Sequence, residues 1–121
     1  MGFLFIAIGA TCGAWLRYGL GVILNPIFPT LALGTLCANL LGCFLIGIVM
    51  GSGLFSDSLR LAIVTGFLGS LTTFSTFSYE AITYLLREEI FWLFALVLVH
   101  VLGSIAMAYI GYLTVKFFQA V

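Results

Sequence analysis

Charge is scarce in this chain. Only 7% of its 121 residues are Asp, Glu, Lys or Arg, where a soluble domain carries about a quarter. With 64% hydrophobic residues as well, a soluble globular fold is excluded. The four basic and four acidic residues cancel, and the basic ones are scattered. No basic patch is left to hold nucleic acid. Metal and redox chemistry are equally thin. Cys12, Cys37 and Cys43 sit in apolar segments without a Cys-x-x-Cys pair, and His100 is the one histidine. That pattern supports neither a zinc site nor a disulfide framework, and the cysteines read as small packing residues. No glycine-rich phosphate loop is present. Glu80 and His100 are the deep acid–base candidates, on different segments and with no nucleophile motif linking them. An enzyme is therefore not expected.

What is present is apolar length. Four long hydrophobic stretches fill nearly the whole chain, which reads as one integral membrane domain over residues 1–121. The first stretch lacks a basic leading region and has Arg17 near its far end, so it is not read as a removable signal peptide.

A first helix is predicted from about Gly2 to about Leu24, enough to cross roughly 30 Å of hydrocarbon. Gly9 and Gly13 form a small-xxx-small pair that lets another helix approach. Arg17 either snorkels beside Tyr18 or lines a polar vestibule. Asn25-Pro26 and Pro29 form the first loop. A second helix is predicted from about Leu31 to about Met50, with Gly34, Gly42, Gly47 and Gly51 as contact positions. Asn39 is the strongly polar side chain at its middle; it either glues helices together or points an N–H at an anion.

The third segment, about Leu59 to Leu86, is the unusual one. Gly66-Phe67-Leu68-Gly69-Ser70-Leu71-Thr72-Thr73-Phe74-Ser75-Thr76-Phe77-Ser78-Tyr79-Glu80 lies inside a hydrophobic span yet is rich in hydroxyls. Thr72-Thr73 is a poor helix pair, and Gly66 and Gly69 loosen the chain before it. A helix break is predicted near Gly69 to Ser75, at mid-membrane depth. The competing reading is an unbroken helix whose Ser and Thr bond back to their own carbonyls. Broken backbone in a membrane must be buried in protein or line a polar cavity. Its free carbonyls suit a cation, and its amides and hydroxyls suit an anion. Phe74 and Phe77 fall on one helix face, with Glu80 one turn further; an intramembrane carboxylate is a functional candidate. Arg87-Glu88-Glu89 mark the water boundary. A fourth helix runs from about Ile90 to about Phe118, with Trp92 at the interface and His100, Gly103, Ser104 and Met107 on roughly one face. His100 reads as a hydrogen-bonded helix contact rather than a ligand.

Lys and Arg are divided almost evenly between the two sides of such a bundle, so the positive-inside rule has little to act on. A chain that inserts in either direction can pair antiparallel with a second copy. Four short helices make a poor pore alone, and dimerisation supplies the missing walls.

Together these motifs resemble the CrcB/Fluc fluoride channels. Gly13-Ala14-Trp15-Leu16-Arg17-Tyr18 is similar to that family's first-helix signature, Asn39-Leu40-Leu41-Gly42 to its second-helix Asn motif, and Gly66 through Phe77 to its broken third helix. The resemblance covers the full chain. It implies an all-α integral membrane protein with four transmembrane helices, a break in the third, and an antiparallel dual-topology homodimer in the inner membrane. It implies passive fluoride export through two pathways, with a structural sodium ion at the dimer centre. Gly69 and Thr72 match the sodium-binding carbonyls. Phe74 and Phe77 match the pathway phenylalanines, Asn39 the pore Asn, and Ser75, Thr76 and Ser104 the hydroxyl track. Glu80 matches a pathway-adjacent glutamate and Arg17 a basic vestibule residue.

The chemistry is consistent with that resemblance. Fluoride is strongly hydrated, and Asn39 and the hydroxyls can replace its water with N–H and O–H donors. Aromatic rings carry positive edges, so Phe74 and Phe77 would offer edges to an anion. Two rivals are weaker. A small multidrug-resistance transporter needs a carboxylate in its first helix, and none is there. A non-transporting assembly factor explains the small-residue faces but not the phenylalanine–hydroxyl run.

Overall fold

The computed structural model describes residues 1–53 and 55–121. Among them the secondary structure is entirely helical. Helix α1 is Gly2–Leu24, α2 is Leu33–Ser52, α3 covers 57–71, α4 is Phe74–Leu86 and α5 is Ile90–Ala120. Helices α3 and α4 together make the span Asp57–Leu86, giving four spans long and apolar enough to cross a membrane. The last, at 31 residues, extends about 46 Å. It either tilts or projects from a hydrocarbon core of about 30 Å.

The ends follow local chemistry. Asn25 closes α1, and its side-chain oxygen accepts a 2.8 Å bond from Gly34 N–H in the first turn of α2. The second helix therefore starts at Leu33, two residues later than the hydrophobic pattern suggests, and runs on to Ser52. Gly53 ends it in the left-handed region, φ 61°, where a side chain would be strained. Glu88, φ 58°, makes the corresponding sharp turn between α4 and α5.

Small residues set the packing. A Cβ on Gly9 would overlap the Ala62 carbonyl, and one on Gly13 would overlap the Phe67 carbonyl and the Ser70 hydroxyl. Helix α1 thus lies directly on the backbone of α3. Gly47 and Gly111 bring α2 and α5 together in the same way, each against a carbonyl of the other helix. Between apolar helices in lipid, such close fit replaces the hydrophobic effect as the force of association.

The third span departs from a plain helix twice. Leu61–Leu68 is wound as a π-helix, which the sequence pattern does not announce. The break is also narrower than predicted. Gly69 keeps helical angles, φ −62° and ψ −30°, and Ser75 already belongs to α4. Only Thr72 (φ −77°, ψ 151°) and Thr73 (φ −147°, ψ 114°) are extended. The hydroxyls explain the tight margins. Ser70 Oγ lies 3.1 Å from Phe67 O and Thr72 donates to Leu68 O, holding the end of α3. Thr73 then caps α4, its hydroxyl accepting from Thr76 N–H. Two small cores flank the break: Ala38, Leu68 and Leu71 on one side, and Leu31, Phe77, Tyr84 and Leu96 on the other.

Candidate functional site

A break releases backbone groups, and the partners of each define the site. Thr73 N–H has no helical acceptor; it donates to Asn39 Oδ1 at 2.7 Å. Asn39 Nδ2 donates in return to Thr73 O at 3.1 Å. One side-chain amide on α2 thus clasps both backbone groups of the broken residue. The pairing also fixes the amide orientation, because Thr73 N–H can only donate and its carbonyl can only accept.

The remaining Asn39 N–H points to His100 Nδ1, 3.2 Å away. Nδ1 is then the acceptor, and a neutral imidazole carries its proton on Nε2. That Nε2 is buried and finds no partner among the described residues. His100 is therefore a hydrogen-bonded helix contact, as its isolation in the sequence suggests. It also leaves an unsatisfied donor in the apolar interior. Both Asn39 N–H groups are occupied by protein, so the gluing reading of Asn39 describes its resting contacts.

Arg17 does not merely snorkel. Its Nε donates to Ser70 O at 3.0 Å, a carbonyl that the break deprives of its helical partner. The positive charge sits at the C-terminal end of α3, where the helix dipole favours it. Ser70 Oγ also donates to Ala10 O at 2.8 Å, tying the break to α1. No local helical bond closes onto the carbonyls of Gly69, Leu71 or Thr72 among the described residues. Two of these three, Gly69 and Thr72, are the positions that the resemblance matches to a cation, and carbonyl oxygens suit a hard cation.

Three cavities gather most of the candidate side chains. The first, about 270 Å³, brings together Asn39, Thr73, Phe74, Phe77, His100 and Ser104. Phe77 packs between Phe74 (ring centroids 5.3 Å apart) and His100 (5.0 Å), at tilted angles. The second, about 390 Å³, is bordered by Arg17, Asn25, Thr35, Thr73 and Thr76. The third, about 350 Å³, has Glu80 with Tyr79, Thr83 and Arg87. Glu80 is thus separate from the phenylalanine cavity. Its carboxylate lies beside the Thr35 hydroxyl and Ala32 N–H, but neither approach reaches hydrogen-bond geometry. Ser75 bonds locally to Thr73, Oγ to Oγ1 at 3.2 Å.

Two residues gain weight over the sequence reading. Thr73 counted only as a helix breaker, yet it is the hub of the site. A hydroxyl three positions before Thr76, at a helix start, is a capping signal that points to it. Thr35 lies one helical turn before Asn39, on the same face of α2.

Comparison with known proteins agrees with the motifs. Residues 4–112 match the family described as CrcB-like protein, Camphor Resistance (CrcB). The chain is 50% identical over 115 residues to the fluoride-specific ion channel FluC of Nitrosospira multiformis, covering 92% of this chain and 90% of that protein. It is 51% identical over 118 residues to the FluC of Aromatoleum aromaticum, covering 91% and 87%. It is 47% identical over 119 residues to that of Dechloromonas aromatica, covering 95% and 88%. These relatives bear the name of a channel, not of an enzyme. By the extent of these matches, and with the broken third span that its motif implies, this chain belongs to the CrcB family of multi-pass membrane proteins.

Proposed function

We propose that this chain is the subunit of a fluoride-selective channel of the inner membrane, passive and without an energy source. The observation that carries the reading is the break at Thr72 and Thr73, clasped by Asn39 and opening beside Phe74, Phe77 and Ser104. A membrane protein that only needed four helices has no use for it. Fluoride-specific naming of relatives about half identical over most of the chain adds the choice of ion. The phenylalanine cavity offers hydroxyls, an amide, a buried imidazole N–H and aromatic rings, and no full positive charge. Weak repeated contacts of that kind let an ion leave as readily as it enters.

The channel is read as an antiparallel dual-topology homodimer with two pathways. Phe74 is 76% exposed on the single chain while bordering a cavity with Asn39 and Ser104. Polar lining left open to lipid would be costly, and a second copy is the symmetric way to cover it. A sodium ion at the centre fits the carbonyls of Gly69 and Thr72, which lack helical partners. Bound there, it would hold two breaks together and raise the potential for nearby anions. Physiologically, hydrogen fluoride enters as a neutral acid and dissociates inside. A fluoride leak lets the trapped anion out, lowering its toxicity.

Expression in bacteria lacking their own fluoride exporter tests the reading. Growth in fluoride should be restored. Cells that stay as sensitive as the empty-vector control would refute it.

A further inference from the structure

The cavity with Phe74, Phe77 and Ser104 and the cavity with Arg17, Thr35 and Thr76 meet at the break. Thr73 is the one residue common to the two linings. Its backbone is immobilised, since Asn39 holds both its N–H and its carbonyl. Its side chain is held far less firmly. The hydroxyl donates to Thr76 Oγ1 at 3.1 Å and lies 3.2 Å from Ser75 Oγ. Both contacts are longer than the usual O–H···O distance of about 2.7–2.8 Å. By comparison, Ser70, Ser78 and Thr83 make 2.8 Å bonds to carbonyls. A hydroxyl proton turns about the Cβ–Oγ bond without moving a heavy atom. Thr73 can therefore swap a slack internal bond for an ion at no cost in packing.

We propose that Thr73 is the transfer residue between the two cavities. An anion waiting near Arg17 and Thr76 passes into the phenylalanine cavity by taking the Thr73 O–H as a donor. The proton returns to Thr76 Oγ1 once the ion has gone. The N–H groups of Phe74 and Ser75, at the start of α4, have no local helical acceptor among the described residues and favour an anion at the same point. This assignment rests on the fluoride-channel reading and adds to it the step that joins two otherwise separate spaces.

The competing role for Thr73 is capping alone, through Thr76 N–H. The test compares Thr73→Val, which keeps the shape and loses the hydroxyl, with Thr73→Ser, which keeps it. Each is purified as a dimer, reconstituted in liposomes, and assayed with a fluoride electrode over a range of fluoride concentrations. Thr73→Ser should conduct within about twofold of the parent, and Thr73→Val should fall about tenfold or more, the scale of one lost donor to an ion. The half-saturating fluoride concentration should rise in Thr73→Val. Loss of a cap lowers thermal stability but does not move half-saturation of the channels that remain folded. An unmoved half-saturation, or a Thr73→Ser variant as impaired as Thr73→Val, would overturn the transfer role. If Thr73→Val yields no dimer, Thr73→Cys takes its place, since the thiol is a weaker donor of similar size; parental flux there would overturn the role as well. A parent protein that passes no fluoride would overturn the channel reading along with it.

Discussion

Asn39 has one acceptor and two donors, and all three face protein. The acceptor and one donor replace the helical partners lost by Thr73, and the other donor meets His100. For Asn39 to serve an ion as well, an N–H must leave His100, the longest of its three contacts at 3.2 Å. Asn39→Asp removes both donors and sets a negative charge against Thr73 O. Fluoride flux is expected to fall about fivefold or more, since an unpaired buried acceptor costs about 1–3 kcal/mol and the added negative charge opposes an anion. Parental flux in that variant would place Asn39 outside both roles. Phe77 is buried, at 8% exposure, between Phe74 and His100. Ile in its place keeps the apolar character and loses the ring edge. Phe77→Ile should leave a dimer on a sizing column yet slow fluoride flux about tenfold or more, the range expected if an ion–ring contact of about 1.4 kcal/mol or more is lost. Unchanged flux would reduce the ring to packing. The sequence marks Asn39 and Phe77 because a polar group or a close aromatic pair stands out in an apolar helix. It does not mark what Asn39 bonds to, because its partner lies 34 positions away.

The third span is where local chemistry and tertiary contact meet. A break among Gly66, Gly69 and the threonine pair is legible from composition, since β-branched hydroxyl residues resist a helix. Its confinement to Thr72 and Thr73 is not legible, because that depends on Ala10, Arg17 and Asn39 meeting the span from elsewhere in the fold. The π-winding of Leu61–Leu68 is equally silent in sequence, as apolar residues serve either winding. The glycines of α1 are legible as a contact face, and the structure puts that face directly on the π segment. The carbonyls of Gly69 and Thr72, without local helical partners among the described residues, are the basis for proposing a cation at this element. Purification with N-methylglucamine in place of sodium is expected to weaken the dimer and abolish flux, with recovery on sodium return. A dimer indifferent to the exchange would remove the cation from the element.

For the whole molecule, four spans and their order are plain from hydropathy, and the helix ends fall within a few residues of the pattern. Oligomeric state is less plain, because the faces that would meet a partner are apolar like those that meet lipid. Phe74, Tyr79 and Trp15 are all largely exposed on the single chain. The near-even spread of Arg17, Arg60, Arg87 and Lys116 gives the positive-inside rule little to act on. A cysteine label at the C-terminal end, in a background without Cys12, Cys37 and Cys43, should react from each side of intact vesicles to about half of its full extent, as two equal orientations require. Labelling from one side alone would exclude dual topology.

The most direct measurement is efflux from liposomes holding purified protein, with fluoride and chloride followed side by side. A site that replaces hydration by hydroxyl, amide and ring-edge donors in a narrow space predicts rapid fluoride efflux and no chloride efflux above protein-free vesicles. Equal rates for the two halides, or no efflux of either, would contradict the assignment of the broken span as a fluoride path.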